Sequence, residues 1–417
     1  MGIVIKWFLF RTVRQAVAVL GQVRKTVHAQ SDILKPEAIE ALNGACANLR
    51  KTLDGRLDKQ AVLDAMQKLE ETYNRFIKPY PFPSVRDNIE MFLVAIAVAM
   101  AIRTFFLQPF KIPTGSMQPT LYGITHEDFR GRNDVVMPTG IKKFISSWVR
   151  GESYYHVVAK SDGYFDCKPM QRFAFFNLFQ TFTVGPDTYT IWFPPDRLLE
   201  RAGLAVGGGN FPRVDEQTGK PPFFKKGEDI LKIMVRSGDH LFVDRVTYNF
   251  RHPRRGEIIV FETYGTRIAQ QDQFYIKRMV AMGGDKISIG NDRHLVINGQ
   301  RLDANTPRFE FVYSFDPKAE YRENTYFGHV NNETAMAIYE RYNWPAHKRG
   351  MLAPEFPDER TVYTVPDNCY LAMGDNTMNS SDSRFWGALS RTNVIGKSFF
   401  VYWPITERFG WAHLAHH

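Results

Sequence analysis

Residues 1–88 carry the apolar spacing of α-helices. Within residues 36–77, apolar side chains recur every three or four positions. Pro36 stands at the start of the first such run, where a missing N–H costs nothing, and Asp58 stands at the start of the second, where a carboxylate caps a helix. The pattern predicts a helical hairpin within an N-terminal helical segment, whose partner the sequence does not identify.

The stretch 2–20 is apolar but contains three basic residues, Lys6, Arg11 and Arg14. At about 100° per residue these three fall within roughly 140° of arc, which is typical of an amphipathic helix with a basic face. Two interpretations stay open, a helix that packs in the core of a small domain and a helix that lies in a membrane interface. Charges inside the apolar run make it a poor secretory signal peptide.

Residues 89–107 are apolar on every side of a helix. The part from Met91 to Ile102 contains no charged or strongly polar residue, and Arg103 then interrupts the run. Seventeen helical residues span about 26 Å, whereas the hydrocarbon core of a bilayer is about 30 Å thick. By length alone, this segment lies between a buried helix and a membrane span.

After Pro109 the pattern becomes that of β-strands. Short β-rich runs alternate with turn residues, and Asn298-Gly299 marks a hairpin turn. This predicts a mainly β domain over residues 108–417, with two long insertions at about 126–235 and 303–365. The predicted strands are His240–Asp244, Glu257–Phe261, Phe274–Val280, Lys286–Ile289, His294–Ile297, Cys369–Met373 and Ser398–Trp403.

Composition narrows the classes of function. The 417 residues include 53 Lys plus Arg and 44 Asp plus Glu, and the basic surplus forms no long run, so nucleic-acid binding is not expected. Three cysteines exclude a disulfide scaffold, and no His/Cys/Asp cluster has metal-ligand spacing, so neither a metal nor a cofactor is expected. The 33 Phe of this basic chain fit contact with an anionic lipid surface through residues 173–179 and 223–226, although core burial explains them equally well.

Three short blocks carry the candidate chemistry. The first, 112–121, places Ser116 between glycine and methionine in a backbone that two prolines restrict. The second, 275–286, holds Lys277 in a strand-like run, where burial among apolar neighbours would lower the pKa of this lysine. The third, 374–387, is dense in Asp, Asn, Ser and Arg. Each block on its own also fits an ordinary turn or strand.

Taken in order, the three blocks resemble the conserved boxes of bacterial type I signal peptidases, which are membrane-bound Ser/Lys endopeptidases. The serine box of that family, Ser-Met-x-Pro-Thr-Leu, is matched by 116–121. The lysine box is matched by 275–278 and 284–286, and the closing box, Gly-Asp-Asn-x-x-x-Ser-x-Asp-Ser-Arg, by 374–384. The resemblance implies a mainly β catalytic domain, with the fold that signal peptidases share with self-cleaving Ser/Lys repressors, preceded by a single transmembrane helix at 89–107.

By this resemblance, Ser116 is the nucleophile and Lys277 is the general base in the removal of signal peptides from exported preproteins. The backbone N–H of Ser116 and the hydroxyl of Thr114 would form the oxyanion hole, and Ser380 would orient Lys277. Many relatives have Ser where this chain has Thr114, whose extra methyl restricts the rotamer. The resemblance also implies a supporting polar network of Asp375, Asp382 and Arg384, and a pocket for small residues (Ala-x-Ala) lined by Phe110, Ile112, Met117 and Ile276.

The resemblance further implies a place in the cytoplasmic (inner) membrane, with residues 1–88 inside and the catalytic domain on the extracytoplasmic side. The implied partners are signal peptides and the lipid bilayer. A disulfide between Cys167 and Cys369 is permitted there, although the position of Cys369 in a predicted strand favours a buried free thiol. Two alternatives stay open, a specialised Ser/Lys maturation protease and a catalytically idle membrane scaffold.

Overall fold

The computed structural model describes residues 6–8, 10–55, 58–77, 82–132, 134–174, 176–268, 270–314, 328–344 and 352–412. The chain divides into two compact units, Met1–Ala97 and Val98–His417. The helices are α1 (Arg11–Ala29), α2 (Pro36–Asp54), α3 (Lys59–Phe76), α4 (Pro83–Phe105), α5 (Gly140–Arg150), α6 (Leu198–Arg201), α7 (Thr247–Phe250), α8 (Glu310–Tyr313), α9 (Asn332–Arg341) and α10 (Ser383–Trp386).

The strands all lie in the second unit. The first eleven are β1 (Leu107–Lys111), β2 (Thr125–Asp128), β3 (Glu152–Val158), β4 (Gly163–Cys167), β5 (Gln171–Phe173), β6 (Phe176–Val184), β7 (Asp187–Trp192), β8 (Ala205–Val206), β9 (Phe211–Pro212), β10 (Phe223–Phe224) and β11 (Asp229–Arg236). The others are β12 (His240–Asp244), β13 (Ile258–Glu262), β14 (Phe274–Met282), β15 (Lys286–Ile289), β16 (Leu295–Ile297), β17 (Gln300–Arg301), β18 (Tyr363–Thr364), β19 (Cys369–Met373), β20 (Leu389–Ser390), β21 (Val394–Trp403) and β22 (Gly410–Trp411).

Helices α1, α2 and α3 pack around one apolar core in the first unit. Val13 of α1, Leu42 of α2 and Leu69 of α3 are all fully buried in it. The predicted helical hairpin is confirmed as α2 and α3. Asp58 caps α3 as predicted, because its carboxylate accepts a hydrogen bond from the N–H of Gln60 at 2.9 Å.

The second half of the predicted amphipathic helix at 2–20 lies in α1, which begins at Arg11 and continues to Ala29. The apolar stripe of α1 packs against α2 and α3, as the core-packing alternative expects for residues 11–20. Residues 1–5 and Leu9 lie outside the described residues. Lys6 is buried, and its ammonium donates a 2.7 Å hydrogen bond to the carbonyl of Leu53 in the last turn of α2, where the helix dipole favours a cation.

Helix α4 begins before the predicted start at residue 89. The helix has 23 residues and covers about 34 Å, which exceeds the roughly 30 Å of a hydrocarbon core. The most apolar 18-residue window of its Ser84–Phe105 segment has a mean hydropathy of 1.7, and none of that window is buried within the protein. By length and composition, α4 is a candidate membrane span.

An eight-stranded antiparallel sheet is the centre of the second unit as far as the structure describes it. Its order is β1-β12-β21-β13-β14-β19-β20, with β22 paired to β21. Three predicted strands, β12, β15 and β19, are confirmed to the residue. The sheet brings β1, which leads into the serine block, and β14, which carries the lysine block, into one layer.

Besides the short β8-β9 pair, the first predicted insertion folds as two further sheets. These are β2-β11-β3 and β10-β4-β6-β5, with β7 paired to β6, and they share a core that includes Phe165, Phe182 and Ile230. A separate four-stranded sheet has the order β17-β16-β15-β18. The predicted Asn298-Gly299 turn is confirmed between β16 and β17, where both residues have positive φ, 52° and 82°.

Candidate active site

The serine block forms a loop that packs tightly against neighbouring backbone. Ile112 N donates to the carbonyl of Asp239 at 2.9 Å as β1 ends. Two glycines permit this packing, because a Cβ on Gly238 would lie 1.9 Å from the carbonyl oxygen of Ile112 and one on Gly123 would lie 2.2 Å from the carbonyl of Thr114. The close packing of Gly238 and Gly123 therefore fixes the backbone of the serine loop at Ile112 and Thr114.

The closing block holds the serine from a third side. Asn376 donates its backbone N–H to the carbonyl of Ser116 at 3.1 Å and its side-chain amide to the carbonyl of Gly115 at 2.9 Å. Asn376 is buried and was not among the predicted site residues. Its position in the closing block was the only signal in the sequence, since a loop asparagine has many possible partners.

Gly374 is the point of closest approach between these two loops. A Cβ at this position would lie 2.5 Å from the carbonyl oxygen of Ser116 and 2.2 Å from Ser380 Oγ. Gly374→Ala is therefore expected to displace the serine loop and to lower kcat/KM by about tenfold or more, as small misplacements at active sites do. Peptide-cleavage rates of the purified variant measure this. Gly44→Ala is the matched control, because nothing lies within 4 Å of its Cβ, and a comparable loss in that variant would contradict the explanation.

Lys277 projects from β14 toward the serine loop. Its Nζ donates a hydrogen bond to Ser116 Oγ at 2.7 Å and another to the carbonyl of Ile276 at 3.1 Å. Both side chains are withdrawn from solvent, with Ser116 7% exposed and Lys277 4% exposed. A hydroxyl and an amine in direct contact are positioned for proton transfer.

Burial lowers the pKa of Lys277 to about 8 from its ordinary value of 10.5. The carboxylates of Asp382 and Asp375 oppose this change, and the Arg384 guanidinium adds to it. With a pKa near 8, about one lysine in ten is neutral at pH 7, compared with about one in 2500 for a solvated lysine. A lysine with such a pKa can accept a proton at neutral pH without the help of a histidine.

Asp375, a predicted member of the supporting network, is paired in the interior with Arg278. The guanidinium donates to both carboxylate oxygens, through Nε at 2.8 Å and Nη2 at 2.5 Å, and Asp375 is fully buried. Thr120 of the serine block joins the pair, because Arg278 Nη2 also donates to its hydroxyl at 3.2 Å. Arg278 is in the lysine block, yet its role was missed because its partner is 97 positions away.

Asp382 and Arg384 form a second buried pair, and neither side chain is exposed to solvent. The guanidinium donates to both oxygens of Asp382, at 2.9 and 2.8 Å, and to the hydroxyl and carbonyl of Thr377 at 2.8 Å each. Asp382 also accepts the backbone N–H of Gly374 at 3.0 Å. Arg384 lowers the pKa of this carboxyl despite its burial. The Asp382–Arg384 pair therefore fixes the closing loop at Gly374, the glycine that packs against the carbonyl of Ser116.

Ser380 differs from its predicted contact. It is buried, but Lys277 Nζ makes no hydrogen bond to it; its hydroxyl faces Asp382 instead and helps to lower the pKa of that carboxyl. The hydroxyl lies against Gly374, while Lys277 Nζ is directed at Ser116 and the carbonyl of Ile276. Sequence could not resolve which way a rotatable hydroxyl points.

A cavity of about 310 Å³ opens beside Ser116 and Lys277. Thr114 lies on its rim, and three of the predicted pocket residues, Phe110, Ile112 and Ile276, line it. Met117 does not line this cavity and is fully buried in the core beneath, because the serine loop turns its side chain inward. Further lining residues, which the prediction missed, include Leu241, Val260, Phe274 and Tyr275.

The cysteines and His240 stand apart from this chemistry. Cys46, Cys167 and Cys369 are all free thiols, so Cys167 and Cys369 are not paired. Burial lowers the pKa of His240 to about 4. Among the residues that the structure describes, no group of His, Cys, Asp and Glu side chains is arranged to hold a metal ion.

Comparison with known proteins identifies the family. The family model described as Signal peptidase, peptidase S26 matches residues 85–132 and 232–403, which is just over half of the chain. The chain therefore belongs to this family. The match omits residues 133–231, so most of the first insertion lies outside it.

Curated relatives carry the name signal peptidase I. That of Leptolyngbya laminosa is 29% identical over 172 residues, covering 40% of this chain and 62% of the relative. A probable signal peptidase I-2 of Synechocystis is 27% identical over 172 residues, covering 41% and 58%. Signal peptidase I of Aquifex aeolicus is 31% identical over 183 residues, covering 40% and 69%. The chain thus spans about three fifths of the length of the first two relatives.

Proposed function

We propose that the protein is a membrane-bound serine endopeptidase, a signal peptidase I, that removes signal peptides from exported preproteins. The observation that carries the proposal is the 2.7 Å contact between Lys277 Nζ and Ser116 Oγ in a buried setting. Membership in the signal peptidase family supports the substrate class. The paired arginines and carboxylates around the site argue against an idle scaffold, because they are costly to bury without a function.

In the proposed reaction, Ser116 Oγ attacks the scissile carbonyl carbon while its proton moves to neutral Lys277. The lysine then gives that proton to the departing amine, which leaves an acyl-enzyme on Ser116. A water molecule, deprotonated in turn by Lys277, hydrolyses the ester and frees the serine. The pKa of about 8 suits both directions of transfer, since the group gains and loses a proton near neutral pH.

The developing oxyanion requires donors on the cavity side of Ser116. We assign this role to the backbone N–H of Ser116 and the hydroxyl of Thr114, which is exposed at the cavity rim. One such donor is typically worth about 10² to 10³ in rate. The tight packing of Gly123 against the Thr114 carbonyl supports this role, because it fixes the backbone from which the hydroxyl projects.

Specificity for small residues follows from what fills the cavity. Phe110 and Ile276 are half-buried at its wall and Ile112 is buried, so little depth is left for a substrate side chain. We propose that alanine fits there and larger side chains do not, which is the Ala-x-Ala preference.

Helix α4 supports a membrane location for this enzyme, with Ser84–Phe105 as the span. We propose the cytoplasmic membrane as its site, with the first unit in the cytoplasm and the catalytic unit on the extracytoplasmic side, where exported preproteins emerge.

The test is the pH dependence of cleavage of a preprotein with an Ala-x-Ala site by the full chain in detergent. Neutral Lys277 is the active form and its pKa is about 8, so kcat/KM should rise with pH and level off above about 8. Below that value the rate should fall about tenfold for each pH unit. Ser116→Ala should show no cleavage at any pH. A flat profile between pH 6 and 8 would count against Lys277 as the base.

A further inference from the structure

Helix α5, in the first insertion, turns its apolar side outward. Ile141, Phe144, Ile145 and Trp148 recur at helical spacing and are 78%, 63%, 53% and 71% exposed. No residue of this helix is buried. A helix on a soluble domain ordinarily buries such a stripe, so this orientation is the reverse of the expected one.

The other side of α5 is the side that faces the protein. Ser146 Oγ donates to Glu152 at 3.3 Å, and Lys143 Nζ lies 5.8 Å from the centre of the Tyr155 ring. The end of the helix is tied to β21, because Trp403 Nε1 donates to the carbonyl of Trp148 at 2.7 Å. The helix is thus attached through polar contacts and presents its apolar stripe to its surroundings.

A second exposed aromatic group lies near the end of α5. Phe173, Trp192 and Phe193, at one end of the β5-β6-β7 sheet, are 71%, 64% and 68% exposed. A cavity of about 700 Å³ joins this end of the sheet to the helix, since Ser147 and Trp148 line it together with Asn177, Pro195 and Asp196. We call the four outward residues of α5 and these three aromatic residues the outer apolar surface.

Charge favours an anionic partner for this surface. Helix α5 carries Lys142, Lys143 and Arg150 and no acidic residue. Two acidic side chains lie nearby and both are already paired, Asp196 with Arg172 at 3.4 Å and Glu152 with Arg236 at 3.0 Å. A second copy of the chain would bring like charges together, whereas the headgroups of anionic lipids complement them.

The outer apolar surface also lies close to the candidate active site along the fold. Lys111 lines both the 700 Å³ cavity beneath this surface and the 310 Å³ cavity beside Ser116. Lys111 follows the end of α4 by only six residues, which reach about 20 Å at most. A bilayer spanned by α4 is therefore within reach of this part of the catalytic unit.

We propose that the outer apolar surface is a membrane-binding device that rests in the interface of a bilayer containing anionic lipid. It belongs to the insertion that the family match omits, so it is a property of this chain's own insertion. Of the lipid contacts predicted from sequence, Phe173, Phe176 and Phe223 are exposed, whereas Phe224 is buried and Phe179 is half-buried; helix α5 was not among the predicted contacts. The proposal rests on the membrane location proposed above.

The experiment attaches an environment-sensitive fluorophore at Phe144→Cys in the full chain, reconstituted in phosphatidylcholine–phosphatidylglycerol bilayers with brominated acyl chains. Cys369, the half-buried thiol, is replaced by alanine. Cys46 and Cys167 are left, because burial raises the pKa of both thiols, that of Cys167 to about 11, and keeps them unreactive. The matched control is Val362→Cys, which is 58% exposed in the second insertion.

We expect the bromolipids to quench the label at position 144 about threefold more than the label at position 362. The substitutions Lys142→Gln and Arg150→Gln together should reduce that difference, because they remove the attraction to anionic lipid. Equal quenching at both positions overturns the proposal, and so does cross-linking of two copies through position 144 without quenching. Cleavage of a soluble peptide in detergent separates the two proposals. A chain that cleaves the peptide but whose label is not quenched contradicts only the lipid-surface proposal. A chain whose label is quenched but that does not cleave the peptide contradicts only the peptidase proposal.

Discussion

Lys277→Met is expected to lower kcat/KM for preprotein cleavage by about 10⁴-fold or more, because it removes the base that activates a serine hydroxyl. Methionine keeps most of the side-chain volume and tolerates the buried position, so the fold should survive. Initial rates of the purified full chain in detergent, measured above pH 8, give the comparison. At that pH at least half of Lys277 is neutral in the unaltered enzyme, since its pKa is about 8.

Two controls make the result specific to the pair. Lys168→Met alters an exposed lysine beside β4 and should leave the rate unchanged. The double variant Ser116→Ala/Lys277→Met should be no slower than either single variant, because the two residues act as a unit. If the Lys277→Met variant keeps more than about a tenth of the activity, Lys277 is not the general base.

Arg384→Met is expected to lower the free energy of unfolding of the catalytic unit by about 3–5 kcal/mol, because it leaves the buried Asp382 carboxylate without its counter-ion. Neither side chain of this pair is exposed to solvent. Denaturation followed by tryptophan fluorescence measures the loss, since six of the seven Trp lie in the second unit.

The same variant should also move the pH profile of cleavage. Arg384 helps to lower the pKa of Lys277, whereas the carboxylate of Asp382 raises it. Loss of the guanidinium alone should therefore shift the midpoint of activity to higher pH.

Arg172→Met is the matched surface control. Its pair with Asp196 is 58% exposed on both sides, so its loss should cost less than about 1 kcal/mol. Arg384→Met/Asp382→Leu should recover much of the stability, because no charge is then left unpaired. An Arg384→Met chain as stable as the Arg172→Met chain would mean that the buried pair contributes nothing.

Elements whose signals are local were predictable from the sequence. The α2–α3 hairpin followed from a proline and a capping aspartate, and the Asn298-Gly299 turn from two residues that tolerate positive φ. The candidate site was located for a different reason. Its residues are clustered in three short blocks that resemble, in order and type, the conserved boxes of signal peptidases, and this resemblance named Ser116 and Lys277 before any contact was known.

What could not be predicted depends on contacts between distant segments. Met117 has the apolar character of a pocket residue, but only the path of the loop decides that it points into the core. In the sequence Arg278 looks like an ordinary strand residue, and its role is visible only in its contact with Asp375. Helix α5 was not recognised within the predicted insertion at about 126–235, because the helix is only eleven residues long.

The hydrogen bond between Ser116 and Lys277 joins residues 161 positions apart, and the bond between Gly115 and Asn376 joins residues 261 apart. Contacts of such high sequence separation incur large loop-closure entropies and form late in folding. Ser116 and Lys277 are therefore not in contact in a nascent or partly folded chain. Proteolytic competence should appear only when the central sheet has closed, which protects a newly made copy from cleaving its neighbours, and a fragment that ends before the closing block should be inert.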